Sequence, residues 1–273
     1  MDGKISVIMG IYNCEKTLEQ AVAAIQAQTY DNWELILCDD ASADGTFVLA
    51  EQLAREDRRI VLLKNEKNLG LGRTLNRCLE RADGEFVARM DGDDDCSPER
   101  FARQTAFLRE HPEFDIVSSA MTFFDESGTW GRKNVPEYPS AAAVATGSPI
   151  CHAPVMLRRT CLEAVGGYSD EDATLRVEDV DLWIRLYAAG YRCYNIREPL
   201  YYMRNDQNAY ARRRYRYRVN STRVRLRGCR KLGLGPKCYL KALEPMVIGL
   251  IPGPVRRAIR KRRQRRKESG RAS

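Results

Sequence analysis

Apolar positions recur with two different periods along the first third of the chain. Ile5-Ser-Val-Ile-Met9 is a short apolar run ended by Gly10, which predicts a strand. From Lys16 to Gln28 the apolar residues Leu18, Val22 and Ile25 fall three or four apart, a helical spacing. The alternation repeats. Trp33-Glu-Leu-Ile-Leu-Cys38 reads as a strand, Ala41 to Thr46 as a loop, and Phe47, Ala50, Leu53 and Ala54 as one helix face. Ile60-Val-Leu-Leu63 is a third strand, and Leu71 to Ala82 a helix with Leu75, Cys78, Leu79 and Ala82 on one side. Phe86 to Met90 is a fourth strand. Strands alternating with helices of this length mean right-handed βαβ units and a parallel sheet. In such sheets ligands bind beyond the carboxyl ends of the strands. Three loops fall at that edge: Gly10-Ile-Tyr-Asn13, Asp39-Asp40 and Asp91-Gly-Asp93.

The middle of the chain is less regular. Phe114 to Ser119 and Met121 to Phe124 are expected as two strands, with Asp125-Glu-Ser-Gly128 as a turn. Cys151 to Leu157 reads as a strand in which Pro154 marks an edge or a start. A short helix is expected from Arg159 to Val165, closed by Gly166-Gly167. A clearer one runs from Glu178 to Ala189, with Val180, Trp183, Ile184 and Tyr187 on its apolar face and Gly190 at its end.

Chemistry enters with Asp91, Asp93, Asp94 and Asp95, four carboxylates directly after a buried strand. Like charges so close raise one another's pKa unless something positive sits among them. A hard divalent cation, Mg²⁺ or Mn²⁺, is the simplest answer, because it binds one or two carboxylates together with substrate phosphates. The competing reading is an acidic loop before a helix, with Ser97 as N-cap and Pro98 at the first helical position.

Composition removes several classes. The nine cysteines form no Cys-x-x-Cys pair, and the histidines are only His111 and His152, which argues against a structural zinc site and a disulfide framework. No basic segment followed by an apolar stretch opens the chain, so no secretion signal is expected. No run of apolar residues is long enough to span a bilayer. The first strand-to-helix turn lacks Gly-x-Gly-x-x-Gly, and Gly70-Leu-Gly72 reads instead as a flexible loop before a helix. There is no Walker A lysine motif, and the Asp-x-Asp pair follows the fourth strand, where an aspartate-nucleophile phosphatase would want it after the first. The net charge of +8 hides a split: residues 1–203 carry 22 Lys and Arg against 34 Asp and Glu, and residues 204–273 carry 23 against 3. An acidic body with a basic tail suggests that the tail meets an anionic surface, membrane or nucleic acid.

Five motifs in this order resemble family 2 glycosyltransferases of the GT-A fold: Ser6-Val-Ile-Met-Gly-Ile-Tyr-Asn13, Leu37-Cys-Asp-Asp-Ala-Ser-Ala-Asp-Gly-Thr46, Arg89-Met-Asp-Gly-Asp-Asp94, Cys151-His-Ala-Pro-Val-Met156 and Glu178-Asp-Val-Asp-Leu-Trp183. The resemblance runs from about Ile5 to about Tyr202. It departs where many members have proline at Gly10 or Ile11, and a Gly-Ser pair at Ala41-Ser42. It implies an α/β, GT-A fold, a mostly parallel Rossmann-like sheet flanked by helices. One glycosyltransferase domain would occupy residues 1–203, with a nucleotide-binding half of about 1–110 and an acceptor half of about 111–203. A helical basic C-terminal extension would follow over 204–273.

The same resemblance implies roles. Gly10, Tyr12, Asn13, Asp40, Asp91 and His152 would bind the donor, Asp40 through the uracil N3–H and Tyr12 by stacking. Asp93, with Asp91, would hold Mg²⁺ or Mn²⁺ against the donor diphosphate, while Asp94 and Asp95 cap the next helix. Asp179 would be the general base of an inverting transfer. The donor would be a nucleotide sugar, UDP-linked, and the acceptor a saccharide or lipid-linked saccharide of cell-surface polysaccharide assembly. Transfer to a polyprenyl phosphate, or a non-catalytic nucleotide-sugar or nucleic-acid-binding protein, are the alternatives. In the tail, Leu240, Leu243, Val247, Leu250 or Ile251, Val255 and Ile259 form a helical stripe broken by Pro245, Pro252 and Pro254 and followed by a basic cluster to Lys267. Over 237–267 this suits a helix lying on an anionic membrane, placing the enzyme in the cytoplasm on the inner face of the cell membrane. A C-terminal helix packed on the domain is the competing reading, and nucleic acid fits the acidic body poorly.

Overall fold

Strand β1 (Ile5–Ile11) is the axis of the sheet in the computed structural model, which describes residues 3–205 and 215–250. It pairs in parallel with β2 (Trp33–Asp39) on one side and β4 (Phe86–Arg89) on the other, and β3 (Ile60–Lys64) pairs in parallel with β2. The two-residue side-chain period explains the uninterrupted apolar run. Ile5, Val7, Met9 and Ile11 enter one core with Leu18, Val22 and Ile25 of α1 (Leu18–Gln26). Ile8 enters the opposite core with Leu75 and Cys78 of α3 (Leu71–Leu79). Helix α2 (Thr46–Glu56) completes this half. Gly70 caps α3 at φ 85, and Gly72 lies inside the helix. That segment is anchored rather than a flexible loop, because Asp40 accepts from Leu69 N at 2.7 Å and Gly70 N at 2.9 Å.

Beyond β4 the sheet becomes mixed, in the order β3-β2-β1-β4, then β8 (Met156–Arg158), β6 (Ile116–Asp125), β9 (Cys193–Arg204) and β5 (Asp95–Cys96), with β7 (Gly128–Lys133) on the edge of β6. The expected pair of strands after Phe114 is one continuous β6 (Ile116–Asp125), turned at Asp125–Gly128 into β7 (Gly128–Lys133). β8 is only Met156–Arg158. Residues 151–155 turn there, Val155 N donating to His152 O at 3.3 Å, and Pro154 brings no N–H while its carbonyl is taken by the Gln104 amide. The acidic run does not cap a helix. Asp95–Cys96 is a short strand, β5, and α4 (Arg100–Glu110) starts after a turn through Ser97 and Pro98. β9 (Cys193–Arg204) was not expected; it pairs in parallel with β6 and antiparallel with β5.

Around this half lie α5 (Ala141–Thr146), α6 (Arg159–Val165, closed by Gly166 at φ 70) and α7 (Glu178–Ala188). Three helices follow: α8 (Tyr215–Lys231), α9 (Pro236–Ala242) and α10 (Glu244–Leu250). α8 seats on α7 at Gly228, where a Cβ would come within 2.5 Å of Ile184 Cδ1. Pro245 sits in the first turn of α10, where a missing N–H is tolerated. The Arg212–Arg214 part of the basic run and the stripe from Ile251 to the end lie outside the described residues. No helix among the described residues is long and apolar enough to cross a membrane.

Candidate active site

A cleft of about 420 Å³ opens at the carboxyl ends of β1 and β4, walled by residues 10–17, Asp44, the 91–93 turn and Arg204. Two glycines let its walls approach. A Cβ on Gly10 would meet Thr74 Cγ2 at 3.2 Å, and one on Gly92 would meet Cys14 Sγ and Ile11 Cγ2 at 3.1 Å. Thr17 Oγ1 donates to Gly92 O at 2.9 Å and ties the turn to the start of α1. Asn13, at φ 50, donates its N–H to Ser42 Oγ and accepts from Ala43 N at 2.8 Å. Its side chain therefore fastens the 41–46 loop to the cleft. Tyr12 is 51 % exposed at the rim, an aromatic face with room for a planar partner.

Arginines sit among the carboxylates. Arg89, 5 % exposed, forms an ion pair with Asp91. Arg204 donates from its backbone N to Asp94 Oδ1 at 2.7 Å and from Nε to Asp93 O at 3.2 Å, while its guanidinium lies over Phe124. Arg100, fully buried, donates to Arg89 O at 2.8 Å and braces the end of β4. Asp91 N donates to Tyr201 Oη at 3.1 Å. Asp94 is buried, and burial first, then Asp91 and Asp93, push its carboxyl well above the usual range. Asp93 opens to the cleft and is raised to about 6 by the surrounding protein and by Asp91. Asp39 Oδ1, Arg89 Nε and Asp94 Oδ2 are buried with no hydrogen-bond partner among the described residues.

Among the described residues no three His, Cys, Asp or Glu side chains converge as a metal cage. Mg²⁺ or Mn²⁺ needs no such cage when donor phosphates complete its shell. Asp93 fits that role, because a cation would relieve the crowding that raises its carboxyl. Asp91 fits it less freely, being paired to Arg89.

Asp40, His152 and Asp179 lie off the walls of this cleft. Asp40 is buried and accepts from Asn65 Nδ2 as well as Leu69 N and Gly70 N, which leaves one of its four acceptor positions. His152 bonds through Nε2 to Tyr168 Oη at 2.7 Å and meets Trp183 edge-on. Burial, then Arg89, hold its pKa well below the usual value, so the ring is neutral. Trp183 is core, as expected. Tyr168 feels the charges of Arg89, Asp179, Glu178 and Asp91, and so marks the seam between the cleft and the first turn of α7. In that turn Asp181 is bound to Arg185 at 2.7 Å, and burial followed by Asp179 raises Glu178. Asp179 makes no hydrogen bond or ion pair among the described residues.

Sequence reasoning missed Arg89, Arg204 and Tyr201. Arg89 had a signal: it stands two residues before Asp91, inside an apolar strand, on the same face. Arg204 had less, since it reaches the cleft only because β9 pairs with β5.

A mixed sheet with an acidic turn beyond β4 and a carboxylate-bearing helix beside it defines a GT-A glycosyltransferase. The chain belongs to glycosyl transferase family 2, whose model matches residues 6–165. It is 40 % identical over 268 residues to EpsE of Bacillus subtilis (strain 168), provisionally named a glycosyltransferase, covering 98 % of this chain and 96 % of EpsE. It is 29 % identical to WfaP of Escherichia coli, a UDP-Glc:alpha-D-GlcNAc-diphosphoundecaprenol beta-1,3-glucosyltransferase, covering 70 % of this chain and 73 % of WfaP. The structure of S. aureus TarS 1-349 in complex with UDP superposes with a TM-score of 0.67 at 21 % identity, over 89 % of this chain and 69 % of that one, and shows the shared fold.

Proposed function

We propose that this glycosyltransferase moves a sugar from a UDP-linked donor to a saccharide carried on a lipid, with inversion at the anomeric carbon. The observation that carries the reading is one cleft joining Tyr12, Asp93 and Arg204, with Tyr168 lying within electrostatic reach of both Asp91 and Asp179. The E. coli relative's UDP-glucose donor and diphosphoundecaprenol acceptor support the choice of both substrates.

Tyr12 stacks on the base or ribose, and the remaining acceptor position of Asp40 takes the uracil N3–H. Asn13 and Gly10 shape the wall that the donor enters. Arg204 faces the diphosphate and takes up part of the charge that grows on it as UDP leaves. Asp93, helped by Asp91, would hold Mg²⁺ or Mn²⁺, which when bound supplies further charge neutralisation to the leaving group. Asp179 accepts the proton of the acceptor hydroxyl while that oxygen attacks the anomeric carbon from the face opposite UDP. His152 keeps Tyr168 and the start of α7 in place from beneath. The catalytic unit runs through Arg204 at the end of β9, one residue past the expected boundary at 203, with a nucleotide half to about 110 and an acceptor half after it, and the basic extension follows. The enzyme works in the cytoplasm, against the inner face of the cell membrane.

Thermal unfolding with UDP, GDP or no nucleotide, each with and without Mn²⁺, tests this. UDP at a hundredfold over its dissociation constant should add about 2.7 kcal/mol, a Tm rise of about 5–10 °C. The rise with UDP and Mn²⁺ should vanish in Asp93→Ala. A rise with GDP alone would reject the UDP donor, and none with any nucleotide would reject the donor site.

A further inference from the structure

Among the described residues, helices α8, α9 and α10 leave one apolar face uncovered. Leu226, Leu234, Pro236, Tyr239, Leu240 and Leu243 enclose a shallow hollow of about 550 Å³. Leu240 is 73 % exposed and Val247 58 %. Burying Leu240 alone would be worth about 1.5–3 kcal/mol, about tenfold or more in affinity, so leaving it in water marks a surface with a partner. Residues 215–250 carry nine Lys and Arg against a single carboxylate, Glu244. Arg223, Arg230, Lys231, Lys237 and Lys241 are exposed, and none makes an ion pair among the described residues. Arg223 and Arg230 stand three before and four after Leu226 on α8, and Lys237 and Lys241 flank Leu240 on α9. Helical spacing therefore puts Arg223, Arg230 and Lys237 on the rim of the apolar hollow, with Lys241 next in sequence to Leu240.

We propose that this face is a docking platform for an anionic lipid bilayer. Its apolar centre enters the headgroup and acyl boundary while the rim cations meet lipid phosphates. Nucleic acid would use the cations but leave Leu240 and Val247 in water. A protein partner would have to supply carboxylates around an apolar core. The inference rests on the lipid-linked acceptor proposed above and gives it a geometry. α8 packs against α7, and Arg225 of α8 stands within electrostatic reach of both Asp179 and Glu244. Docking α8–α10 therefore holds the base at a fixed height over the bilayer in which the acceptor is anchored. The sequence adds a further basic run between Arg256 and Lys267.

The test is co-sedimentation of the full chain with vesicles of phosphatidylcholine, with and without phosphatidylglycerol. Binding is expected only with phosphatidylglycerol, weakening as salt rises. Lys237→Gln with Lys241→Gln should lower partitioning about 30-fold, at about fivefold per charge. Leu240→Ser with Val247→Ser should lower it about tenfold or more. Both pairs are exposed, so the UDP-dependent Tm rise should stay as in the parent protein. Unchanged partitioning of the Leu240→Ser, Val247→Ser protein would overturn the proposal, as would an oligonucleotide that displaces the vesicles. A dimer in gel filtration that dissociates in the same variant would assign the hollow to a second copy and overturn it too. If vesicle binding fails while the UDP-dependent rise persists, docking is wrong and the transferase reading stands. Loss of the UDP-dependent rise in the parent protein is the separate failure of that reading.

Discussion

The protein carries two groups of three carboxylates and treats them differently. Asp91, Asp93 and Asp94 lie on a turn, and Glu178, Asp179 and Asp181 in the first turn of a helix. In the turn, charge is managed by burial and by arginines borrowed from other elements. Arg89 comes from within β4 and Arg204 from the end of β9, while Arg100 of α4 only braces the Arg89 carbonyl. Burial first, and the neighbouring carboxylates second, push Asp94 well above the usual range and Asp93 to about 6. In the helix, the N-terminal dipole favours acids without help, and Arg185 of the same helix takes Asp181. The proposed function gives these environments opposite uses: the turn would receive a cation and phosphates, and the helix would offer Asp179, which makes no hydrogen bond or ion pair among the described residues, as the base.

Mutations should separate the two. Asp179→Asn has the largest expected effect, a fall in kcat of about 10²–10⁴-fold with the UDP-dependent Tm rise retained. Full activity in that variant would mean an acceptor that is already an anion, such as a polyprenyl phosphate. Asp93→Asn should lose several kcal/mol of transition-state stabilisation, about 10²–10³-fold in kcat/KM, together with the effect of Mn²⁺ on UDP binding. Arg204→Gln comes next, weakening UDP about 10–100-fold by calorimetry, the worth of a charge-assisted hydrogen bond of about 1.5–3 kcal/mol. If Arg204→Gln lowered kcat and spared UDP affinity, the guanidinium would belong to the base side of the comparison.

His152 lies at the seam, and pH tells which side it serves. Its folded pKa is below the ordinary value, first through burial and then through Arg89. The unfolded chain therefore binds a proton that the folded protein refuses. Stability is full above the unfolded pKa of about 6.5 and falls as pH drops below it, by about 1 kcal/mol on reaching pH 5.5. In His152→Gln, denaturation at pH 7 and pH 5.5 should show that fall reduced by about 1 kcal/mol, with UDP affinity unchanged. An unaltered pH dependence with weakened UDP would make His152 a donor contact rather than a support for Tyr168.

How much of this the chain discloses depends on what each residue packs against. β1, β2 and β4 are buried on both faces and β3 in part, so their side chains form apolar runs, broken by little more than Ser6 and Glu34, that periodicity exposes. β9 breaks the pattern with Arg197, Glu198 and Pro199, and the ladder to β6 absorbs them by register shifts around Ala120. Asp94 and Asp95 look like helix caps because Ser97-Pro98-Glu99 follows. β9, which arrives far later in the chain, instead draws Asp95 into a strand and Asp94 onto Arg204 N. The need for positive charge among the aspartates was legible, but not that arginines meet part of it. Arg204 approaches Asp94 from 110 residues away. The Asp-x-Asp turn and the first turn of α7 were legible because their side chains are adjacent in sequence.

The smallest prediction concerns how the binding side is held. Ala41, in the turn after β2, has φ 59, the left-handed region. Ser42 N, donating to Asp39 Oδ2 at 3.2 Å, helps to fix it there. An L-residue in that region costs about 1–2 kcal/mol, and glycine costs nothing sterically. Glycine forfeits about 0.4–1 kcal/mol through the freer unfolded chain. Ala41→Gly should therefore stabilise by about 0.5–1 kcal/mol and leave kcat alone, since no functional side chain is touched. The control is Ala23→Gly on the exposed side of α1, where the same change should destabilise by about 1 kcal/mol. Opposite signs in urea midpoints would establish that the binding side stores backbone strain in its loops. Equal losses would show the turn after β2 to be relaxed, and its rigidity would then rest on the Asn13 and Asp40 hydrogen bonds alone.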